Sequence, residues 1–516
     1  MPDHSVSLRE CAEKRSVSPS PPAAPYGPDP PTICTKAQRR KWMGLVVSYL
    51  SADLPLSIEL ITSPTKDASA VLHRRLAEFF KSDPDGMLPP ALERSSTSWA
   101  LTVVSDPLQR PPDTPDLLIR AARSRQRYID NQRTAKRQQI ASVILFKDPV
   151  RMDSFARTIA TFWVDDLGNG AEYPPKGHWI AEREEEYAAW DHYFVQQRRP
   201  DKRRGRQPVH LVDSELLQLV IPAEVSCYIR DRSSGDLVFA IIRNFCKIPG
   251  MIQFGRRVVA GAVATRKNVR MEDTGSVVQV GFSAGSRRVP SFGFVRNLVS
   301  KAVDADTANR EFSVLLTFFW LCSMGVFPSE IIDDFKAFYG EFDILRLNPD
   351  WPSYNEAQGT LKLPPECGSY VFKDIELAPG CAVMVQRYAR AVHREKQGHE
   401  WGLTWTILRE GNSVHGGNFF LCKYGVAIKQ SPNAAFAWKP SQFHSTSLAS
   451  FTPSSNAPDF ESLEYNQQAV AFVTSGRIRS VWAKWKNMHG LTGKQRVNGA
   501  IVELATPADE EDELYE

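Results

Sequence analysis

Residues 382–408 read AVMVQRYARAVHREKQGHEWGLTWTIL, and residues 415–445 read HGGNFFLCKYGVAIKQSPNAAFAWKPSQFHS. In both stretches, short runs of β-branched, aromatic and small apolar residues alternate with turn residues such as glycine, asparagine and proline. The pattern predicts short strands at Leu403–Leu408, Phe419–Cys422, Val426–Lys429 and Ala434–Trp438. Short antiparallel strands at this spacing favour a barrel.

Three residues that flank this series of strands are candidate metal ligands. Because side chains two residues apart on a strand point to the same face, His393 and Glu395 can reach one metal ion together. A third ligand must come from another strand, and His444 is the candidate. Two imidazoles and one carboxylate hold a non-haem Fe(II) while leaving coordination positions open. His399 and His415 lie nearby, and spacing alone excludes neither.

The two quoted stretches together resemble the double-stranded β-helix core of the 2-oxoglutarate and Fe(II)-dependent dioxygenases. The pattern G-G-x-F-x-x-x-x-Y-G-V-x-I at residues 416–428 is similar to the fungal branch related to the TET and JBP nucleobase oxygenases. The resemblance covers about residues 365–485 and implies an α+β protein with a jelly-roll or cupin-like core and helical N-terminal support. It also implies Fe(II) held by His393, Glu395 and His444, with 2-oxoglutarate as cosubstrate.

Two features depart from the family pattern. Glu395 stands where the family has aspartate, and its extra methylene moves the carboxylate outward. The family also binds 2-oxoglutarate with a basic residue on the strand after the distal histidine, where an arginine can pair with the far carboxylate through two hydrogen bonds. The strand predicted at Gln467–Thr474 contains no arginine or lysine. The nearest candidates are Arg477 and Arg479, in a helix predicted at Gly476–Lys486.

The resemblance implies an Fe(II)- and 2-oxoglutarate-dependent dioxygenase whose substrate is 5-methylcytosine or a related methylated base in DNA. Oxidation of a base requires that it be flipped out of the duplex. Related barrels hydroxylate proteins, so a prolyl hydroxylase is one alternative. The two departures leave another: a dioxygenase fold that has lost turnover and serves as a binding or interaction module.

Length and composition favour a globular protein of a reducing compartment. The chain has 516 residues, 42% of them hydrophobic, and a formal net charge of +4, which suits two or three domains or one large domain. Its 8 cysteines include no C-x-x-C pair, which argues against a disulfide framework or a cysteine-based zinc site. We expect no secretory signal in the polar residues 1–35. The apolar run Phe312–Phe327 is shorter than a membrane-spanning helix of about 20 residues, so we expect a buried core helix.

Composition divides the chain into four regions. Residues 1–35 are proline-rich and residues 491–516 contain an acidic run, so a disordered arm and a disordered tail are expected there. Residues 36–210 are expected to be mainly helical with a basic linker, and residues 211–490 to form the dioxygenase-like domain. Outside the two quoted stretches, the sequence predicts helices at Ala37–Leu50, Asp67–Phe80, Pro115–Val143 and Gly250–Arg266, and two or three helices from Phe294 to Tyr339. It predicts strands at Leu216–Ile221, Val225–Arg230 and Leu237–Ile242.

Two basic stretches are candidates for contacts with nucleic acid. Residues 120–137 place arginines and lysines along a predicted helix, and residues 198–206 hold six basic residues in nine positions. Such runs contact phosphates or act as nuclear import signals, and a solvated helix face or linker is the ordinary alternative. We therefore expect an intracellular protein, in the nucleus rather than the cytoplasm, without membrane association. The sequence gives no indication of oligomeric state.

Overall fold

The computed structural model describes most of the chain between residues 36 and 488. The predicted arm (1–35), the basic run 198–206 and the acidic tail (491–516) lie outside the described residues. Those residues are 36–63, 65–82, 100–101, 103–105, 110–141, 158–196, 207–286, 290–295, 297–300, 304–342, 344–349, 358–368, 370–411, 415–450 and 465–488.

Helices fill the N-terminal part and return between and after the strands. Some begin at a capping side chain, as where Asp304 accepts hydrogen bonds from the backbone N–H groups of Asp306 and Thr307. The described helices are α1 (Lys36–Ala52), α2 (Leu54–Thr62), α3 (Lys66–Lys81), α4 (Asp116–Ala141), α5 (Glu184–Gln196), α6 (Pro249–Thr265), α7 (Ala305–Val326), α8 (Ser329–Phe342) and α9 (Ile478–Met488).

The helix α7 is buried along most of its length, which confirms the core helix predicted from Phe312–Phe327. The prediction of helix from Phe294 onward was wrong at its start, because Phe294 ends a strand and α7 begins only at Ala305. Among the described residues, no single helix has the length and hydropathy to cross a membrane. Within the described part of the chain, α1 from Lys41 and α2 have that length and hydropathy when taken together, but they bend by 104° at the break between them.

Most of the described strands have 3 to 9 residues, and two longer ones have 12 and 13. The strands predicted at Leu237–Ile242 and Ala434–Trp438 are confirmed residue for residue. The described strands are β1 (Ala160–Val164), β2 (Trp179–Ala181), β3 (Val209–Leu211), β4 (Leu219–Ile221), β5 (Cys227–Asp231), β6 (Leu237–Ile242), β7 (Thr274–Gly285), β8 (Pro290–Phe294), β9 (Gln358–Lys362), β10 (Val371–Glu376), β11 (Cys381–His393), β12 (Gly402–Glu410), β13 (Phe419–Leu421), β14 (Val426–Ile428), β15 (Ala434–Trp438), β16 (His444–Thr446) and β17 (Asn466–Phe472).

One 13-stranded sheet dominates this α+β fold. Its main path runs β1-β5-β6-β15-β12-β17-β11-β16-β13-β14-β4, and β7 joins it through β11 and carries β8. The strand β1 lies in a region expected to be mainly helical, and β4–β8 lie before residue 365, where the core was expected to begin. Conversely, β9 and β10 form a separate two-stranded sheet. Distant segments therefore build the sheet, and local pattern alone did not reveal this.

The large sheet curls until its two ends approach each other, which makes it barrel-like. Phe239 on β6 and Phe419 on β13, far apart in strand order, stack with ring centroids 6.0 Å apart. At the two ends of the path, the Gln218 side chain joins the segments that hold β1 and β4. Its amide nitrogen donates to Asp165 O at 2.7 Å, and its amide oxygen accepts from the Asp165 N–H at 3.0 Å.

Alternation along the strands separates the two faces of the curled sheet. On β12, Leu403 and Trp405 pack outward against the apolar residues of α6, α7 and α8. Thr404, between them, faces inward and lines a cavity. On β15, Phe436 and Trp438 belong to the inner apolar cluster. The helices therefore cover the outer face of the sheet, and the inner face encloses the candidate site.

The Gly416-Gly417 turn is more than a hairpin turn, because the chain crosses other segments closely there. Both glycines have positive φ, +73° and +65°. A Cβ on Gly416 would overlap Leu448 O, and one on Gly417 would overlap the Tyr465 hydroxyl. Glycine is required at both positions on steric grounds as well as by backbone conformation.

We predict that Gly417→Ala lowers the free energy of unfolding by about 2–5 kcal/mol, because backbone strain adds to a collision with Tyr465. The matched control is Gly168→Ala. Gly168 has a φ of +87° but nothing within 4 Å of its would-be Cβ, so we expect only about 1–2 kcal/mol there. Urea unfolding of both variants measures the difference, and equal losses would show that Tyr465 adds no steric penalty.

Candidate metal centre

The long strand β11 carries the first predicted ligand to the inner side of the sheet. Its first half pairs with β7 and β17, and its second half with β16, where His393 and His444 are direct partners. The register shifts between Gln386 and Ala389 and again between Arg390 and His393. Each shift adds one residue to β11 and turns the residues that follow to the opposite face.

The shifts decide which residues of β11 face inward. Odd-numbered residues line the cavity at first, then even-numbered ones, and after the second shift odd-numbered ones again. Glu395, two residues past His393, continues this last phase, and its backbone N–H donates to Pro440 O at 2.7 Å. The inward-facing residues of this segment are Val383, Val385, Tyr388, Arg390, His393 and Glu395.

The three predicted ligands meet at one point. Ligand atoms of His393, Glu395 and His444 all lie within 4.8 Å of one another. The two imidazole centroids are 4.4 Å apart, and His393 Nε2 lies 3.1 Å from Glu395 Oε1. Among the described residues, this is the one group of at least three histidine, cysteine or acidic side chains close enough to share a metal ion.

Both histidines are held in the orientation that a metal ligand needs. His393 Nδ1 lies 2.8 Å from Ala391 O, and His444 Nδ1 lies 2.8 Å from Gln442 O. Because a carbonyl oxygen only accepts, each Nδ1 carries a proton, which leaves Nε2 as the atom through which the neutral imidazole would bind a metal. Two imidazole nitrogens and one carboxylate fit a divalent transition metal such as Fe(II). The donor set therefore fits the metal that the resemblance implies.

Burial sets the protonation of the site. Desolvation, followed by the neighbouring His393, lowers the pKa of His444 to about 3. A neutral imidazole is the form that binds metal, so proton competition at His444 is weak at neutral pH. Desolvation raises the pKa of Glu395, and the charge of Arg390 is the first of the effects that oppose this rise.

Arg390 is a buried partner of the site that the sequence reasoning missed. Its Nη1 donates to Glu395 Oε1 at 2.8 Å, and its Nε lies 3.5 Å from Asp273 Oδ2. The Tyr388 hydroxyl donates to the same Asp273 oxygen at 2.7 Å. Arg390 lies three residues before His393 in a mostly apolar run. A charged residue in such a run was the sequence signal that could have identified it. Its positive charge stabilises ionised Glu395 where solvent does not.

The two histidines that the sequence left open lie apart from this group. His399 uses both ring nitrogens, with Nδ1 2.6 Å from Trp401 O and Nε2 2.9 Å from Thr474 Oγ1. Burial lowers the pKa of His399 to about 4, so it is neutral in the core. His415 also lies outside the three-residue group. The structure therefore favours His444 as the third ligand.

The three candidate ligands open onto a cavity of about 110 Å³ inside the curled sheet. Pockets for drug-sized ligands span roughly 300–1,000 Å³, so this cavity suits a small ligand. Its wall is mostly apolar and aromatic, and its polar side chains apart from the three ligands and Arg390 include Thr404, Thr406, Gln430 and Gln467. Trp438, near His444, also lines it, and its buried Nε1–H has no acceptor among the described residues.

The structure does not bring Arg477 and Arg479 to this cavity. Arg477 Nη2 donates to Ser286 O at 3.2 Å, and the Arg479 guanidinium lies 5.6 Å from the centroid of the Phe342 ring. Arg479 lines a second cavity of about 480 Å³ that shares the Glu395 wall. The helix predicted at Gly476–Lys486 is present as α9, which begins at Ile478, so Arg479 lies in the helix and Arg477 just before it. Their part in binding 2-oxoglutarate stays a prediction.

Arg409, the last residue but one of β12, is a second basic residue that sequence reasoning missed. Its Nη2 donates to Gly416 O at 2.5 Å, and its Nη1 donates to Gln467 Oε1 and lies 3.4 Å from the Tyr465 hydroxyl oxygen. Because Gln467 lines the cavity, Arg409 lies just behind the cavity wall. The resemblance led us to expect a basic residue on β17. Arg409 lies instead on β12, the strand that pairs with β17.

Comparison with known proteins adds a weak structural similarity and no assigned family. No protein-family description matches the chain, and no curated protein matches it. Among solved structures, it is similar to NgTET1 in complex with 5mC DNA, at a TM-score of 0.30 and 8% sequence identity, over 49% of this chain and 77% of that one. A TM-score below 0.5 is too low to assign fold or function.

We predict that the protein binds one Co(II) or Fe(II) ion per chain and that His444→Ala or His393→Ala weakens binding by more than about 100-fold, or about 2.7 kcal/mol. Each variant removes one of three ligand atoms. Anaerobic titration calorimetry measures the affinity. His415→Ala is the control, because it removes a histidine outside the group, and a loss of the same size in that variant would contradict the assignment.

Proposed function

We propose that this chain is an Fe(II)- and 2-oxoglutarate-dependent oxygenase. The observation that carries the proposal is the meeting of His393, Glu395 and His444, with the Nδ1 atom of each histidine hydrogen-bonded to a backbone carbonyl and ligand atoms of all three residues within 4.8 Å of one another. These three residues would hold the metal. When bound, Fe(II) together with a 2-oxo acid supplies the activation of oxygen for attack on a C–H bond.

The surrounding residues supply position and protonation state. Arg390 orients the Glu395 carboxylate and favours its ionised form, and Asp273, which accepts a hydrogen bond from the Tyr388 hydroxyl, contacts Arg390 in turn. The apolar wall, including Phe419 and Phe436, excludes bulk water from reacting groups. The small cavity suits the cosubstrate, so a larger substrate would approach from outside it.

A binding module without turnover is the second candidate. The Arg390–Glu395 ion pair favours it, because Oε1 of the required ligand already accepts a hydrogen bond from Arg390 at 2.8 Å. The proposed oxygenase requires that Glu395 bind the metal despite this pair. Turnover separates the two candidates.

We expect the wild-type protein, given Fe(II) and 2-oxoglutarate, to release succinate, and His444→Ala to abolish the release because a ligand atom is lost. His415→Ala is the matched control and keeps the activity. A wild type that binds metal but releases no succinate, together with activity in Glu395→Asp, would instead identify the binding module.

We further propose DNA with a methylated cytosine as the substrate, with α4 contacting the phosphates. Arg120, Arg123 and Arg127 are exposed and spaced as one stripe of that helix, and Leu118 and Ala122 are buried. A protein prolyl hydroxylase remains the alternative and does not need this stripe.

We predict that duplex DNA binding weakens with salt and that Arg120→Gln, Arg123→Gln and Arg127→Gln together reduce the slope of log K against log[salt] by about 2.7, if each contacts one phosphate. Fluorescence anisotropy at several salt concentrations measures this slope. Affinity that is absent or insensitive to salt would exclude DNA as substrate and leave the protein substrate.

A further inference from the structure

Gln430 is a buried cavity residue whose side chain is only partly satisfied. It follows β14, is 2% exposed and lines the cavity of the metal centre. Its amide oxygen accepts from the Thr406 hydroxyl at 3.3 Å, and its backbone N–H donates to Asn418 Oδ1 at 2.8 Å. Its side-chain Nε2 has no hydrogen-bond partner among the described residues. A buried donor without an acceptor is costly, so a bound group is expected to accept from it.

This donor lies at the end of the cavity away from the metal centre. Trp438, whose ring centroid is 6.1 Å from that of His444, marks the metal end of β15 and pairs with Gly402 of β12. Thr406, the partner of Gln430, lies four positions further along β12. At about 3.3 Å per residue, the two levels are about 13 Å apart along the strand.

The far end of the cavity is polar but uncharged. Thr406 and Gln467 line it with Gln430, and Arg409 lies behind Gln467 and donates to its amide oxygen. Arg390 is the one arginine among the described residues that line the cavity, and it lies at the metal end, where it donates a hydrogen bond to Glu395. A ligand reaching from the metal to the far end meets neutral donors there.

We propose that the side-chain N–H of Gln430 binds the far end of the 2-oxo acid and recognises it as a hydrogen-bond acceptor rather than as an anion. This rests on the proposed function, and it extends the ligand class to 2-oxo acids that end in a carboxylate or in a carboxamide. An ionised end forms the stronger hydrogen bond but costs more to desolvate. We therefore expect the two kinds of ligand to differ in Kd by less than about fivefold.

The test uses the full chain loaded with Co(II) under nitrogen and titrated with 2-oxoglutarate or its 5-carboxamide, 2-oxoglutaramate. Gln430→Leu removes the donor and is expected to weaken both acids by about tenfold or more. Gln468→Leu is the matched control. Gln468 is also buried, at 3% exposure, but it lies outside the cavity wall, so binding should not change.

Gln430→Glu separates recognition from damage to the fold. Its carboxylate repels the far carboxylate of 2-oxoglutarate but can accept from the amide N–H of 2-oxoglutaramate. We expect 2-oxoglutarate to lose at least tenfold more affinity than 2-oxoglutaramate, whereas misfolding would weaken both alike.

The outcomes separate the inference from the proposed function. Unchanged affinities in both Gln430 variants overturn the inference and leave the oxygenase proposal standing. A wild type that binds 2-oxoglutarate over 100-fold more tightly than the carboxamide also overturns it, because that preference requires a cation. A wild type that binds Co(II) but neither acid overturns the proposed function, and this inference with it.

Discussion

The pairing of β11 with two different groups of strands is the constraint on which the candidate site depends. One half of the strand lies between β7 and β17, and the other half pairs with β16. Because the strand continues through the curl, His393 is delivered opposite His444, and Glu395 follows two residues later. The two imidazoles could not be 4.4 Å apart without that crossing. The metal donor set is thus a product of sheet closure.

Closure also buries charge, and the buried charges depend on one another. Arg390 contacts both Asp273 and Glu395, with each of these side chains at most 4% exposed. Removing one partner of such a set strands a charge, at a cost of about 3–5 kcal/mol. The length of the glutamate side chain fits this arrangement. Its longer side chain lets Oε1 lie 2.8 Å from Arg390 Nη1 and 3.1 Å from His393 Nε2. The length of the Glu395 side chain therefore allows it to form the ion pair with Arg390 and to lie beside His393 at the same time.

Local patterns predicted the strands well and the connections between them poorly. The limits of β6 and β15 followed from apolar runs bounded by turn residues, and the spacing of His393 and Glu395 indicated a shared face. Arg390 and Arg409 were missed because one partner of each, Asp273 and Gln467 respectively, lies on a segment that only the folded sheet brings close. The inclusion of β1 was missed for the same reason, since its partner β5 lies more than 60 residues away in the chain. Long-range pairing leaves little trace in a local window.

The two register shifts in β11 mean that residue count, as much as residue type, specifies the site. Each extra residue turns the side chains that follow it to the opposite face of the sheet. Tyr388 and Arg390 lie between the two shifts, and His393 and Glu395 lie after the second. Deletion of one residue at the first shift would turn Tyr388 and Arg390 to the opposite face of the sheet, although these side chains themselves would be unchanged. In this protein, the number of residues in β11 therefore decides which charged side chains face the interior of the sheet.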